Sequence, residues 1–175
     1  MSTAMRGAAT IRDALAEDFP QILRLNLDSE KYLSPLSCER LAALHYQAWY
    51  HRVALYDGEV AAFLIALGPG AEYDSPNYRW FAQRYTDFVY IDRVVVNAKA
   101  RKARLATSLY EDLLLRAKEG GVPWVTCEFD TDPPNEASRQ FHQRLGFVEV
   151  GAQRVGANRK AVSLQELRLP VGIPL

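Results

Sequence analysis

Apolar residues follow two different spacings along this chain, and each predicts a different element. Phe19, Ile22, Leu23 and Leu27 keep helical spacing, whereas β-branched and aromatic runs such as 88–96 predict buried strands. The predicted order is strand, helix, helix, three strands, helix, strand, helix and a final pair of strands. This order predicts an α/β fold in which helices flank a mixed central sheet of about seven strands, built as a single domain over residues 1–175.

Turn and cap residues locate most of the boundaries. Asp57-Gly58 predicts a tight hairpin between two strands, because both positions tolerate positive φ. Residues 68–87 are predicted as a long loop with a helical turn near Trp80, and loops of this length are often functional. Asn135 suits the N-cap of a helix that Gly146 ends. One predicted helix begins near residue 17, and three others cover residues 37–48, 103–118 and 135–145.

One strand–helix–strand segment predicts how two strands of the sheet are connected. A strand at 88–96 is followed by the helix at 103–118 and by a strand at 123–130. Such a crossover is right-handed, so the two strands are predicted to run parallel. Two further strands are predicted in FVEVGAQRV and KAVSLQELRL.

Composition and charge exclude several classes of protein. Lysine and arginine number 21, as do aspartate and glutamate, so the net charge is zero and a nucleic-acid or anionic-membrane partner is not expected. Cys38, Cys127 and the three histidines lack metal-ligand spacing, so no metal site is predicted. Neither a signal peptide nor a transmembrane run is seen, and a cytoplasmic location is therefore expected.

A basic turn stands between the strand that ends at Val96 and the helix that follows it. Lys99, Arg101, Lys102 and Arg104 lie close together there. Free backbone N–H groups and the helix dipole make such a junction a ready phosphate site, which nearby cations strengthen. A solvated basic turn explains this stretch alone equally well.

Two segments together resemble the signature of the GNAT superfamily of acyl-CoA-dependent N-acyltransferases. In VVVNAKARKARLA, Val96 and Arg101 have the family spacing and Ala106 fills the last position of the Arg/Gln-x-x-Gly-x-Gly/Ala loop. In NEASRQFHQRLGF, the matching residues are Asn135, Ser138, Phe141, Gly146 and Phe147. The element order is also similar over most of the chain. The resemblance implies a cleft where the fourth and fifth strands splay apart.

Two departures from the family pattern bear on the predicted site. Arg104 stands where the first glycine of the loop is usual, and is read either as an extra charged contact or as an obstruction. His142 stands where many relatives place a tyrosine that protonates the leaving thiolate, although some branches carry histidine there. Without the resemblance, a lone helical histidine is more often structural.

The resemblance implies acetyl-CoA, or another acyl-CoA, as co-substrate, with no metal. Main-chain groups of the strand end would bind the pantetheine arm, the loop would bind the pyrophosphate, and the second segment would hold the arm from the other side. The implied cofactor-binding residues are Val94, Val95, Val96, Arg101, Lys102, Ala103, Arg104, Leu105, Ala106, Thr107, Asn135, Ser138 and Phe141.

The implied reaction is transfer of an acetyl group to a primary amine by direct attack in a ternary complex. Asp92 would act as the base and His142 as the acid, although Asp92 pairing with a neighbour is the more ordinary role. Tyr90, Tyr78 and Trp80 would line the acceptor pocket. The acceptor is left open between small molecules and protein N-termini. The resemblance also leads us to expect a homodimer. The alternative to an enzyme is a non-catalytic acyl-CoA-binding or sensing module.

Overall fold

The computed structural model describes residues 9–31 and 33–170 and contains a seven-stranded sheet in the order β1-β2-β3-β4-β5-β7-β6. The strands are β1 (Thr10–Asp13), β2 (Ala48–Tyr56), β3 (Glu59–Leu67), β4 (Val89–Val96), β5 (Trp124–Asp132), β6 (Val148–Val155) and β7 (Lys160–Arg168). The helices are α1 (Phe19–Asp28), α2 (Cys38–Gln47), α3 (Pro76–Ala82), α4 (Leu105–Glu119) and α5 (Glu136–Leu145), with short 3-10 helices at Ala16–Asp18 and Ala98–Ala103.

The sheet is mixed, as the sequence predicts. β4 and β5 run parallel, with Val89 opposite Val125 and Tyr90 opposite Thr126. β5 pairs antiparallel with β7, which pairs antiparallel with β6. The parallel crossover through α4 is confirmed. The splayed cleft beyond the two registered pairs of β4 and β5 stays a prediction.

Several boundaries differ from those predicted. α4 begins at Leu105 rather than at residue 103, because residues 98–103 form the 3-10 helix. The long loop contains a full helix, α3, whose start is capped by Ser75, since its hydroxyl accepts from the N–H of Tyr78. The hairpin is confirmed: Asp57 and Gly58 have φ of 53° and 82°.

The chain forms two compact units, and the single domain over the whole chain stays a prediction. The first unit comprises residues 1–65 and 93–113. Its core includes Ile22 of α1 and Leu41 and Leu44 of α2, all buried. Tyr50 and Arg52 of β2 both donate to Oδ2 of Asp112 at 2.8 Å, and these bonds fix α4 against β2.

The second unit comprises residues 66–92 and 114–175. Aromatic rings fill much of its interior, where Phe81 and Tyr90 are almost fully buried. Tyr78 of α3 donates to the carbonyl of Gly68 at 2.8 Å and accepts from the N–H of Ala71 at 2.9 Å. These bonds hold the loop that precedes α3 to the helix itself.

No helix within the described parts of the chain is both long enough and apolar enough to cross a membrane.

Candidate active site

The basic turn of the first unit is ordered by local hydrogen bonds. Asn97 accepts the N–H of Lys99 on its side-chain oxygen at 2.9 Å, which caps the 3-10 helix at 98–103. Arg104 then takes the left-handed conformation, with φ of 56°. Its carbonyl accepts from the backbone N–H of Ser108 in the first turn of α4. Arg104, which replaces the glycine usual in the family, therefore adopts a backbone conformation that glycine reaches more easily than other residues do.

A cavity of about 430 Å³ lies against this turn. Three cationic side chains contribute to its lining, those of Lys99, Lys102 and Arg104, and none of them forms an ion pair with any residue described in the structure. The rest of the lining comes from Ala9, Tyr56, Ala100 and Ala103. A positive cavity next to a helix N-terminus suits a phosphate group.

The other loop residues predicted to bind the cofactor are not among the residues that line this cavity. Arg101 is exposed and is not among the lining residues. Leu105 is buried in the core, whereas Ala106 and Thr107 are half-buried in the first turn of α4. On β4, Val95 is buried, and Val94 and Val96 on the opposite face are half-buried.

The second unit contains a buried carboxyl group that the sequence did not single out, that of Glu128 on β5. The hydroxyl of Tyr90 donates to its Oε1 at 3.0 Å. Its Oε2 is buried and accepts no hydrogen bond from the described residues. Burial, with smaller effects from Asp92 and Asp130, raises the pKa of Glu128 to about 8.

Asp92 and Tyr90 share a face of β4, as period-two alternation predicts. Oδ1 of Asp92 accepts a hydrogen bond from the hydroxyl of Tyr73. The charge of Asp92 acts on both Tyr90 and Glu128. Tyr90 is fully buried, and the pKa of its phenol lies well above the usual value because of that burial. Tyr90 therefore stays neutral and acts as a donor to Glu128.

The two remaining predicted acceptor residues lie on α3. Tyr78 is buried, and its ring contacts those of Tyr73 and Tyr90 at centroid distances of 5.9 and 5.6 Å. Trp80 is half-buried, packs on Gly151 of β6, and is covered by the guanidinium of Arg84 at 3.7 Å. Tyr78 belongs to the same aromatic cluster as Tyr90. Trp80 instead fixes the helix to β6.

His142 lies in a different environment, buried on α5. Its Nδ1 is 2.7 Å from the carbonyl oxygen of Ser138, so this nitrogen carries the proton and donates. The ring stacks on Phe129 and meets Phe141 and Phe147 edge-on. Burial lowers the pKa of His142, and the imidazole is therefore neutral near pH 7. This geometry suits a packing residue better than an acid, and the acid role stays a prediction.

The other predicted cofactor-binding residues of the segment NEASRQFHQRLGF lie at the start and in the middle of α5. Oδ1 of Asn135 accepts from the N–H of Ser138 at 3.2 Å, so Asn135 is the predicted N-cap. Its amide nitrogen remains the group that can donate to a ligand. Phe141 is half-buried next to His142.

Two further features of the structure concern groups that could react or bind a metal. Cys127 is buried in β5, and its surroundings raise the pKa of the thiol well above the usual value, which suits a core residue rather than a nucleophile. Among the residues that the structure describes, no cluster of three or more histidine, cysteine or acidic side chains is arranged to hold a metal ion.

The sheet order, the parallel β4/β5 pair and the basic turn before α4 define an acyltransferase type of fold. The chain belongs to the acetyltransferase (GNAT) family, whose family model matches residues 9–147. The comparison with curated proteins gave no match.

Solved structures show the same fold. Ard1 from Thermoplasma volcanium is similar, with a TM-score of 0.78, 17% identity, and coverage of 94% of this chain and 99% of that one. The ribosomal-protein-S18-alanine N-acetyltransferase from Escherichia coli is similar with a TM-score of 0.71 and 18% identity, and the match covers 95% of this chain and 96% of that one. A phosphinothricin acetyltransferase from Sinorhizobium meliloti was solved in complex with acetyl-CoA. It is similar with a TM-score of 0.70 and 19% identity, and the match covers 93% of this chain and 89% of that one.

Proposed function

We propose that this protein transfers an acetyl group from acetyl-CoA to a primary amine, and that Glu128 is the base that takes the proton of the amine. Membership of the acetyltransferase family supports the reaction class. A similar fold was solved with acetyl-CoA bound, which supports the choice of donor. The observation that carries the role of Glu128 is its buried carboxyl, with one oxygen held by Tyr90 and the other without a hydrogen-bond partner among the described residues.

The cavity of the first unit fits the phosphate groups of the donor. Lys99, Lys102 and Arg104 present positive charge without competing ion pairs among the described residues. The N–H groups at the start of α4 have no acceptor within the helix and are the natural partners of phosphate oxygens. These residues hold the donor through charge and backbone hydrogen bonds.

Acetyl-CoA supplies a thioester carbonyl that an amine attacks without an enzyme nucleophile. Backbone N–H groups of β4 near Val94 polarise that carbonyl, as donors of an oxyanion hole do. An ammonium group must lose a proton before it attacks, and a carboxylate whose pKa lies near the working pH takes that proton efficiently. Glu128, whose pKa is raised to about 8, meets this requirement.

Asp92 has a different role in this account. Its Oδ1 is already held by the hydroxyl of Tyr73. Its negative charge helps to keep Glu128 basic and favours a cationic acceptor over an anionic one. The acceptor itself is a small molecule or a protein N-terminus, and the homodimer and the cytoplasmic location stay predictions.

The test is a screen of thiol release from acetyl-CoA with amines of several classes, including peptides with free N-termini. We expect release that depends on an amine and an acetylated product of matching mass. Tight binding of acetyl-CoA without release from any amine would instead support the non-catalytic binding module.

A further inference from the structure

Two of the three histidines of the chain, His45 and His51, form a hydrogen-bonded pair in the first unit. His45 lies in the last turn of α2, which ends at Gln47, and His51 lies on β2, which begins at the next residue. The Nδ1 atoms of the two rings are 2.8 Å apart. Because the helix and the strand follow each other without a loop, this bond helps to fix the angle between α2 and β2.

The side chain of His51 lies in a nearly dry pocket. The residue is 8% exposed, and its Nε2 is buried without a hydrogen-bond partner among the described residues. Phe63 of β3 meets the His51 ring edge-on, as Phe19 of α1 meets the His45 ring. An N–H group at Nε2 of His51 would therefore be a buried donor without an acceptor, which is costly.

The short distance between the two Nδ1 atoms limits the number of protons that the pair holds. A hydrogen bond between them requires a proton on one nitrogen and a lone pair on the other. The neutral pair meets this condition with Nδ1 of His51 as the donor, and that tautomer leaves no proton on the buried Nε2. If either ring gains a further proton, His51 must carry a proton on Nε2 or the bond between the rings must break.

The charges that act on His51 come from α2 and from the 3-10 helix before α1, since β3 contributes the apolar ring of Phe63. Burial and the charge of His45 disfavour the imidazolium form of His51, whereas the charge of Asp18 favours it. The carboxylate of Asp18 is already held by Arg12, whose guanidinium nitrogens donate to it at 2.7 and 2.8 Å. Burial therefore prevails, and the pKa of His51 is lowered from 6.5 to about 4.

We infer that the pair of His45 and His51 is a pH-sensitive switch between α2 and β2, closed while both rings are neutral and opened when the pair gains a proton. Opening lets each ring N–H find an acceptor in water. The closed state binds fewer protons than the open state, so acid favours opening between about pH 6.5 and pH 4. The inference goes beyond the proposed acetyl transfer and does not depend on it.

Hydrogen exchange of the backbone amides in residues 38–51 measures the opening. The matched protein is the His51→Phe variant, because phenylalanine fills the pocket without a nitrogen that titrates. We expect the ratio of the wild-type rate to the variant rate to rise about tenfold between pH 8 and pH 5.5, since the pKa of His51 changes from about 4 to 6.5 on opening. Comparison of the two proteins at the same pH cancels the intrinsic pH dependence of exchange.

The His45→Ala variant removes the hydrogen bond outright, and it carries the test if His51→Phe does not fold, because position 45 is only half-buried. Residues 38–51 of this variant should already exchange at pH 8 about as fast as those of the wild type do in acid, after correction for the intrinsic rates. A further fall in pH should have a smaller effect on them than on the wild type.

Nitrogen-15 NMR of histidine-labelled protein gives the second readout, and the signals lost in the two variants assign both rings. At pH 8 we expect a neutral His51 ring with its proton on Nδ1. The inference would be overturned by a proton on Nε2 of His51 at pH 8, by an exchange ratio that stays constant with pH, or by unchanged exchange at pH 8 in His45→Ala.

Discussion

The hydroxyl of Tyr90 on β4 donates to Oε1 of Glu128 on β5 at 3.0 Å. The bond joins two neighbouring parallel strands, in which Val89 is paired with Val125 and Tyr90 with Thr126. It also leaves the second oxygen of the carboxyl without a hydrogen-bond partner in the described part of the chain. A buried carboxyl held in this way is poised to accept a proton.

Removing the carboxylate should slow catalysis without weakening donor binding. We expect Glu128→Gln to lower kcat/KM for the amine by about 10²- to 10⁴-fold, the usual contribution of a general base, because glutamine keeps the acceptor for Tyr90 but takes no proton. The dissociation constant of acetyl-CoA should not change. Thiol release and calorimetry measure the two quantities. A rate within a factor of three of the wild type would assign the base elsewhere, and Asp92→Asn would then be the next variant.

The same carboxyl should make the protein less stable at high pH. The pKa of Glu128 is raised from 4.5 to about 8, so the folded state binds more protons than the unfolded state between these values. The free energy of unfolding therefore falls as pH rises through this window, by an upper limit of roughly 4–5 kcal/mol.

Urea unfolding at pH 5, 7 and 9 checks this expectation, with Glu128→Gln as the matched variant. The variant should lose less stability than the wild type between pH 5 and pH 9. Parallel pH dependences of the two proteins would show that Glu128 ionises as an ordinary surface carboxyl.

Arg104 combines an unfavourable backbone conformation with a useful charge. Its φ of 56° costs a non-glycine residue about 1–2 kcal/mol, whereas its side chain lines the positive cavity. We expect Arg104→Gly to relieve the backbone but to weaken acetyl-CoA binding several-fold, with a smaller dependence of affinity on salt.

Arg104→Asn is the control for this variant, because asparagine tolerates the left-handed conformation and carries no charge. Both variants should bind acetyl-CoA more weakly by a similar factor. Unchanged or tighter binding in both would show that the arginine is dispensable for phosphate binding.

The contact between Gly151 and Trp80 should not tolerate a methyl group. A Cβ at position 151 would lie 2.6 Å from Cζ2 of the ring, so Gly151→Ala must displace α3 or β6, at a cost of about 1–3 kcal/mol of stability. The double variant Gly151→Ala, Trp80→Ala should lose less than the sum of the two single variants, because the clash is gone. Additive losses in urea unfolding would show that the ring moves aside freely.

Sequence-local signals predicted much of the fold. The hairpin at Asp57-Gly58 and the cap at Asn135 depend on residues adjacent in the chain, and both are confirmed. The basic turn was also found, since its cations follow one another before α4. α3 was underestimated as a single turn, although Ser75-Pro76 is a typical helix start.

The chemistry of Glu128 was not predicted, because nothing near it in sequence marks it out. Its partner Tyr90 is 38 residues away in the chain, and only the fold brings the two side chains together. Burial of the carboxyl, which raises its pKa, is likewise a tertiary effect. Conversely, His142 stands at a signature position, but its buried ring among phenylalanines could not be read from the spacing.

The most direct test of the proposed function is calorimetric titration of the wild-type protein with acetyl-CoA and with CoA, with ATP as the control ligand. We expect saturable binding of both CoA forms and no comparable binding of ATP. Failure of both CoA forms to bind would contradict the proposed function, since neither the cavity at Lys102 and Arg104 nor the carboxyl of Glu128 would then serve an acetyl transfer from CoA.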